Sequence, residues 1–257
     1  MTDMLRWLTI YLFALASAVN PALAALTVNQ LSGFNASAIV SGGGGGGDGA
    51  SVVFNGCTDD EANRSSYDFD GVSVGTADAS RIILVGVAAE DGGTAFGLNS
   101  STIGGVSATR MHTSTAGLTV YSNFIIAALA SGTTATISLS FSEGITSASI
   151  CVWSLYDFSS ASFASAQIYV WSADSGVMDI SAADAEVGDL YAAICASGTS
   201  SSVLTFTGVT TTSNAGNGET GIGVGYSFPL SSGGTHTASC DPSGTQDSAA
   251  AAVLVRP

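Results

Sequence analysis

Two histidines and one serine pentad are the residues of this 257-residue chain from which hydrolytic chemistry could start. The pentad, "GVSVG" (Gly71–Gly75), matches G-x-S-x-G, in which a sharp strand-to-helix turn exposes the serine for attack on a carbonyl. It would make Ser73 a nucleophile. Here it leads through "TADAS" into the strand-like "RIILVGV", so the helix is missing, and a glycine- and serine-rich chain produces the pattern by chance. His112 in "RMHTST" and His236 in "GGTHTAS" both lie in Thr/Ser-rich surroundings typical of strand edges. They read as surface or edge histidines rather than as a triad base or metal ligands.

The acidic cluster "CTDDEANRSSYDFDG" holds Asp59, Asp60, Glu61, Asp68 and Asp70. Such oxygens could bind calcium, but the D-x-D-x-D-G spacing of a dedicated calcium loop is absent, and the expectation is a solvated turn. A carboxylate pair for glycoside hydrolysis is defined by distance rather than spacing, so none can be singled out. Trp153 and Trp171 lie within strand patterns and read as core rather than as carbohydrate platforms. The glycine run fits G-x-G-x-x-G, yet no strand precedes it and no helix follows, and a phosphate-binding P-loop needs a lysine that the chain lacks. Catalytic, cofactor-binding and metal residues are therefore each expected to be none, and the protein is expected not to be an enzyme.

Cys57, Cys151, Cys195 and Cys240 contain no C-x-x-C pair, which argues against structural zinc. If the protein is exported they permit three disulfide pairings. Cys151 ("SICVWSL") and Cys195 ("YAAICASG") sit in apolar runs and read as buried core thiols. Cys57 ("FNGCTDD") and Cys240 ("TASCDPSG") sit near turns, which favours a Cys57–Cys240 bridge. Asn35, Asn63 and Asn99 head glycosylation sequons, which matter only in a glycosylating host.

The elements that would position these residues are strands. In "TATISLSF", Ala135, Ile137, Leu139 and Phe141 fall on one face and Thr136, Ser138 and Ser140 on the other. "GIGVGYSF" alternates likewise through Ile222, Val224, Tyr226 and Phe228, and "LTVYSNFIIAAL" does so more loosely. "RIILVGVAA" and "SICVWSL" are apolar on both faces and suit central strands covered on each side. Turn signals such as "EDGG", "IGG", "ASGTT", "FSEG" and "SSGG" recur about every ten residues. Amphipathic helices are missing, and "AAAAVLVRP" reads as a strand deep in a sheet. The expected fold is all-β: an antiparallel, jelly-roll-like β-sandwich of about a dozen strands.

Composition agrees. Hydrophobic residues make up 46% of the chain and charged ones only 10%, against a usual charged share of about 25%. The net charge is −15, no lysine is present, and the five cations are Arg6, Arg64, Arg81, Arg110 and Arg256. Binding to nucleic acid needs clustered cations to displace counterions, so it is excluded, and an anionic membrane surface is disfavoured for the same reason.

Residues 1–24, "MTDMLRWLTIYLFALASAVNPALA", read as a secretory signal. Arg6 supplies the positive charge, Trp7 to Val19 the apolar run, and Ala22-Leu23-Ala24 the small-x-small cleavage site. The alternatives are a retained hydrophobic anchor and a functional start near Ala25. Residues 25–50 form an N-terminal arm ending in the linker "SGGGGGGDG", expected to be a flexible hinge. Residues 51–257 form the sandwich domain.

Several phrases carry a likeness: "LTVNQLSGF", "SSYDFDGVSVGTADASRIILVGV", "STIGGVSATRM", "IAALASGTTATISLSFSEGITSASICVWSL" and "AAAAVLVRP". They resemble a family of β-sandwich proteins common in tailed, often marine, bacteriophage genomes, where they lie beside virion genes. The likeness extends from Leu26 onward and contains no active site. It implies a structural protein on the virion surface: capsid decoration, head fibre or tail-associated. It also implies docking through the arm, with other virion proteins, further copies of the chain and host surface glycans as partners. A membrane partner enters only if residues 1–24 are retained. Family members begin near "LTVNQ", and the added leader supports the alternative, an exported bacterial surface or filament-forming adhesin cleaved near Ala24.

Overall fold

Alternation at period two becomes strands throughout the body of the chain. The computed structural model describes residues 49–257 apart from 94, 113–118, 172–176, 199–203, 218–219 and 243–246. The leader, the arm and the glycine run up to Asp48 lie outside the described residues. No helix occurs among the described residues, and seventeen strands do. The first nine are β1 (Ser51–Asp60), β2 (Arg64–Ser73), β3 (Ile82–Glu90), β4 (Leu98–Ile103), β5 (Val106–Ser107), β6 (Thr109–Arg110), β7 (Val120–Ala128), β8 (Thr134–Ile145) and β9 (Ser147–Tyr156). The other eight are β10 (Ser165–Trp171), β11 (Met178–Ala185), β12 (Leu190–Ser197), β13 (Leu204–Thr207), β14 (Thr211–Asn217), β15 (Thr220–Ser227), β16 (Gly234–Pro242) and β17 (Ser248–Val255).

The all-β, antiparallel sandwich expectation holds, with more strands than a dozen and with the sandwich built twice. The first nine strands form an inner sheet, β1-β9-β3-β7-β6, and an outer sheet, β2-β8-β4-β5. The remaining eight form an inner sheet, β10-β17-β12-β15-β14, and an outer sheet, β11-β16-β13. Replacing β1, β2, β3, β4, β6, β7, β8 and β9 by β10 through β17 in turn converts one set of orders into the other. The short β5 is the one strand without a counterpart. Each sandwich pairs its first strand with its last, β1 with β9 and β10 with β17, so each copy closes on itself.

Three cores separate four layers. Tyr67, Phe69 and Leu139 of the first outer sheet pack on Ile83, Val85 and Ile125 of the first inner sheet. The opposite face of that inner sheet, through Leu84, Phe124 and Trp153, packs on Ala192, Ile194, Val224 and Val253 of the second inner sheet. Tyr191, Ala193 and Leu254 then face Met178, Ile180 and Ala238 of the second outer sheet. Both inner sheets are thus covered on both sides, which is why β3, β9, β12 and β17 are buried at nearly every position and largely apolar.

The two inner sheets meet about a pseudo-two-fold axis. Ser122 Oγ of β7 donates to the Ala249 carbonyl of β17 across the layer at 2.9 Å. The equivalent crossing, β15 on β9, brings the Tyr226 and Trp153 rings to 6.3 Å. At the centre the equivalent strands β3 and β12 face each other. Pairing places Ile82 opposite Leu155 and Leu190 opposite Val255, so Gly86 and Ile194 hold the same position in the two copies. They also touch: a Cβ on Gly86 would lie 2.9 Å from Ile194 Cδ1. A large side chain in one copy fills the space that glycine leaves in the other.

Three tyrosines bury their hydroxyls. Tyr67 donates to the Ala62 and Ile145 carbonyls at 2.6 and 2.8 Å, and Tyr191 donates to the Ile180 carbonyl at 2.7 Å while accepting from Ala238 N. Tyr121 bonds Asn123. Burial pushes Tyr67 and Tyr121 each up to about 12 and moves Tyr191 in the same direction.

Gly86→Val is expected to destabilise the protein by about 1–3 kcal/mol through overpacking and Ile194→Ala by about 2–5 kcal/mol through a cavity. The double variant should lose clearly less than the sum in chemical denaturation, since one change vacates the space the other fills. Additive losses would contradict the packing at the axis.

The buried tyrosines set an alkaline limit. Above their ordinary value of 10.0 the unfolded chain sheds phenolic protons that the folded chain keeps. The contribution of these tyrosines is therefore fully present below pH 10 and is lost as pH rises toward about 12. Urea midpoints measured across that window should fall, and Tyr121→Phe should shallow the fall.

Candidate functional site

The residues singled out for hydrolytic chemistry are not brought together. Ser73 is exposed at the end of β2 in the first outer sheet, opposite Thr134. His112 follows β6 at the edge of the first inner sheet, and its carbonyl accepts from Asn123 Nδ2 at 2.9 Å. His236 lies on β16 in the second outer sheet, its Nε2 2.9 Å from the Ser232 carbonyl oxygen. Among the described residues no group of three or more His, Cys, Asp or Glu side chains is placed to hold a metal. Trp153 is fully buried in the central core, and the side chain of Trp171 lies outside the described residues.

The cysteine reading needs correction. Cys57 bonds Cys151, and Cys195 bonds Cys240. Cys57 and Cys151 are cross-strand partners on β1 and β9, so the first bridge lies within the first inner sheet. The second joins β12 to β16 and ties the two sheets of the second sandwich through their core. Cys57 and Cys240 lie within β1 and β16 rather than at turns, Cys240 fully buried, and the register of strands far apart in sequence decides which sulfurs meet.

Two buried charges were also missed. Arg81 and Asp189 each directly precede the equivalent strands β3 and β12 and are 1% and 2% exposed. Arg81 donates to the carbonyls of Leu129, Gly75, Thr76 and Ser131 at 2.8–3.0 Å. It ties the β2–β3 and β7–β8 connections together, and the four carbonyl acceptors offset the cost of desolvation. Asp189 accepts from Glu186 N at 2.9 Å and from Arg256 Nε at 3.5 Å. Both charges brace the same corner in the two copies.

The acidic cluster divides. Asp60 pairs with Arg64 across the β1–β2 turn, as a solvated turn predicts. Asp68 and Asp70 instead stand on the exposed face of β2, between the inward-facing Tyr67 and Phe69 and beyond. Register lines that face up with its neighbours: Ser66, Ser140 and Ser100 form one cross-strand rank, and Asp68, Ser138 and Thr102 the next. Asp70 follows, accepting from Thr136 Oγ1 at 2.7 Å. Ranks on one face repeat about every 7 Å along a strand, with strands about 4.8 Å apart. The first two ranks line a shallow cavity of about 200 Å³, floored by Ser101 and Leu139.

The second outer face repeats this chemistry. Asp179, Ser239 and Thr207 form a rank of the same residue types at the equivalent position, and Ser181 pairs with Thr237 beside it. There the side chains bond one another: Ser239 Oγ donates to Asp179 Oδ1 at 2.5 Å, and the Ser181 and Thr237 hydroxyls lie 2.8 Å apart. The sequence signal was present in "YDF" (Tyr67–Phe69) and "MDI" (Met178–Ile180), each an outward aspartate between two core residues.

No protein-family model matches the chain, and no curated protein does. Among solved structures it is similar to the conserved protein of unknown function PA5104 from Pseudomonas aeruginosa PAO1, at 10% identity over 81% of this chain and 83% of that one, with a TM-score of 0.28. The PBSX exported protein XepA is 10% identical over 79% and 86%, with a TM-score of 0.21. The ANX2 ectodomain from Arabidopsis thaliana is 6% identical over 81% and 83%, with a TM-score of 0.25. Likenesses this distant carry no argument about function.

A non-reduced proteolytic digest is expected to yield Cys57–Cys151 and Cys195–Cys240 peptides and no Cys57–Cys240 peptide. The bridges close loops of 94 and 45 residues, so the chain-entropy model assigns each a contribution of about 4–5 kcal/mol. Reduction should lower the denaturation midpoint accordingly.

Proposed function

We propose that the chain is a non-catalytic structural protein displayed on a virion surface, as capsid decoration, head fibre or tail-associated component, docked through its N-terminal arm. One observation carries this reading. The family-like phrases from Ser65 onward fall on the frame and on no constellation of reactive groups. "SSYDFDGVSVGTADASRIILVGV" spans β2 and β3, "STIGGVSATRM" runs from β4 through β6, and "AAAAVLVRP" contains most of β17. Phrases that form turns and core strands supply shape and stability, which is what a structural protein requires. Its partners are other virion proteins and further copies of itself.

A specific observation favours a second reading, an exported bacterial surface adhesin. Buried disulfides form and persist in oxidising compartments, and this chain has two. The small-x-small site at Ala22-Leu23-Ala24 belongs to the same reading.

Mass spectrometry of purified particles separates the two. The virion reading expects the chain as a stoichiometric particle component, decorated by immunogold on the particle exterior. Absence from particles, with a chain beginning at Ala25 in the cell-surface fraction, would replace it with the adhesin reading.

A further inference from the structure

The geometry points to the outer face of the first sandwich as a binding site for a neutral polyhydroxylated chain, a glycan, centred on Asp68. The two copies differ on this face. In the second sandwich Ser239 donates to Asp179 within the Asp179–Ser239–Thr207 rank, while the Ser181–Thr237 pair beyond it is bonded just as its register counterpart, Thr136 with Asp70, is in the first. In the first, Ser66, Asp68, Ser100, Thr102, Ser138 and Ser140 make no side-chain hydrogen bond to other described residues, and they surround a cavity rather than a closed surface. The same rank of residue types on the same frame thus carries a serine–aspartate bond in the second copy and leaves its aspartate open in the first.

The occupant follows from the donors and acceptors. Five hydroxyls both donate and accept, and one carboxylate accepts two O–H groups at once, which matches vicinal hydroxyls of a sugar. An anionic polymer is opposed by Asp68 and Asp70 with no free cation beside them. Arg64 is engaged by Asp60 and lies over the Tyr67 ring, and Arg110 donates to the Leu98 carbonyl. A metal ion is poorly served, since a single carboxylate stands in the cavity and Asp70 is bonded to Thr136. No aromatic ring lines the cavity, so stacking adds nothing and each contact is weak. Two ranks about 7 Å apart suit an extended chain of repeating units. This deepens the display reading and rests on it in one respect: many copies on one surface turn weak contacts into avid ones.

The test is an NMR titration of the full chain with dextran, mannan and, as anionic control, polygalacturonate. Amide shifts are expected for residues 66–70, 98–102 and 136–141 with at least one neutral polymer, and none for residues 179–181, 205–207 and 237–241. Asp68→Ala, an exposed strand position, should weaken binding by about tenfold or more, whereas Asp179→Ala should leave it unchanged. No shift with either neutral polymer, equal shifts on both outer faces, or stronger binding of polygalacturonate would each overturn the inference. Because the titration uses isolated protein, binding found in a chain absent from virions would remove the virion location and leave the site standing.

Discussion

Two β-sheets packed back to back, each already covered on its other face, are the constraint on which this molecule depends. A sheet in that position can present no polar side to water, so its strands must be apolar at odd and even positions alike. The packing must also be solved at the pseudo-two-fold axis, where equivalent residues meet. Two isoleucines at the positions of Gly86 and Ile194 would collide, and two glycines would leave a void. Two separate, identical sandwiches cannot escape that choice. Two copies in one chain can differ, and here one supplies the knob and the other the hole. Joining them covalently also removes the translational cost of association.

The copies diverge further away from the axis. The first sandwich fills its private core with aromatic rings, Tyr67, Phe69, Phe96, Tyr121 and Phe141, several in edge-to-face contact. The second relies on small residues, Ala182, Ala193, Ala238, Ala250 and Ala252, under a three-stranded outer sheet. A core of small side chains removes less apolar area from water. The disulfide of the second sandwich runs through that thinner core from one sheet to the other, where the constraint on the unfolded chain offsets the smaller burial. In the aromatic-rich copy the bridge lies within one sheet and the rings hold the layers together.

Much of this was legible locally. Tyr67, Phe69, Ile137, Leu139 and Phe141 alternate with polar residues, and that alone places them inward and their neighbours outward. The double-sided apolarity of "RIILVGVAA" and "SICVWSL" marked β3 and β9 as covered on both faces. What could not be read was anything set by register between distant strands: the partners of Cys57 and Cys240, the carbonyl cage of Arg81, the ranks around Asp68. The repeat escaped because it preserves size class and direction rather than identity. The two corners from outer to inner sheet, "TIGGVSAT" (Thr102–Thr109) and "TFTGVTTT" (Thr205–Thr212), look alike, but matching them without a gap sets Thr102 against Thr205, whereas register makes Thr207 its counterpart. Glycine at positive φ makes both corners: Gly104 donates to the Thr136 carbonyl, and a Cβ on Gly208 would strike the equivalent Thr237 carbonyl. Four identities in eight positions, two of them Thr and one Gly, stand out poorly in a chain rich in those residues.

The doubled frame also bears on where function can reside. Duplicating a sandwich and burying one face of each copy leaves two outer faces on opposite sides of a four-layer stack, beyond reach of a common small ligand. Each face can then change without disturbing the other, since the inner sheets keep the outer ones apart. The second face uses that freedom to bond Ser239 to Asp179. The first keeps an aspartate and a serine at the same register, Asp68 and Ser138, and leaves them to solvent, while both faces bond the next pair, Thr136 to Asp70 and Ser181 to Thr237. Open hydroxyls on a strand face contribute little to stability, because water satisfies them equally well in the unfolded chain.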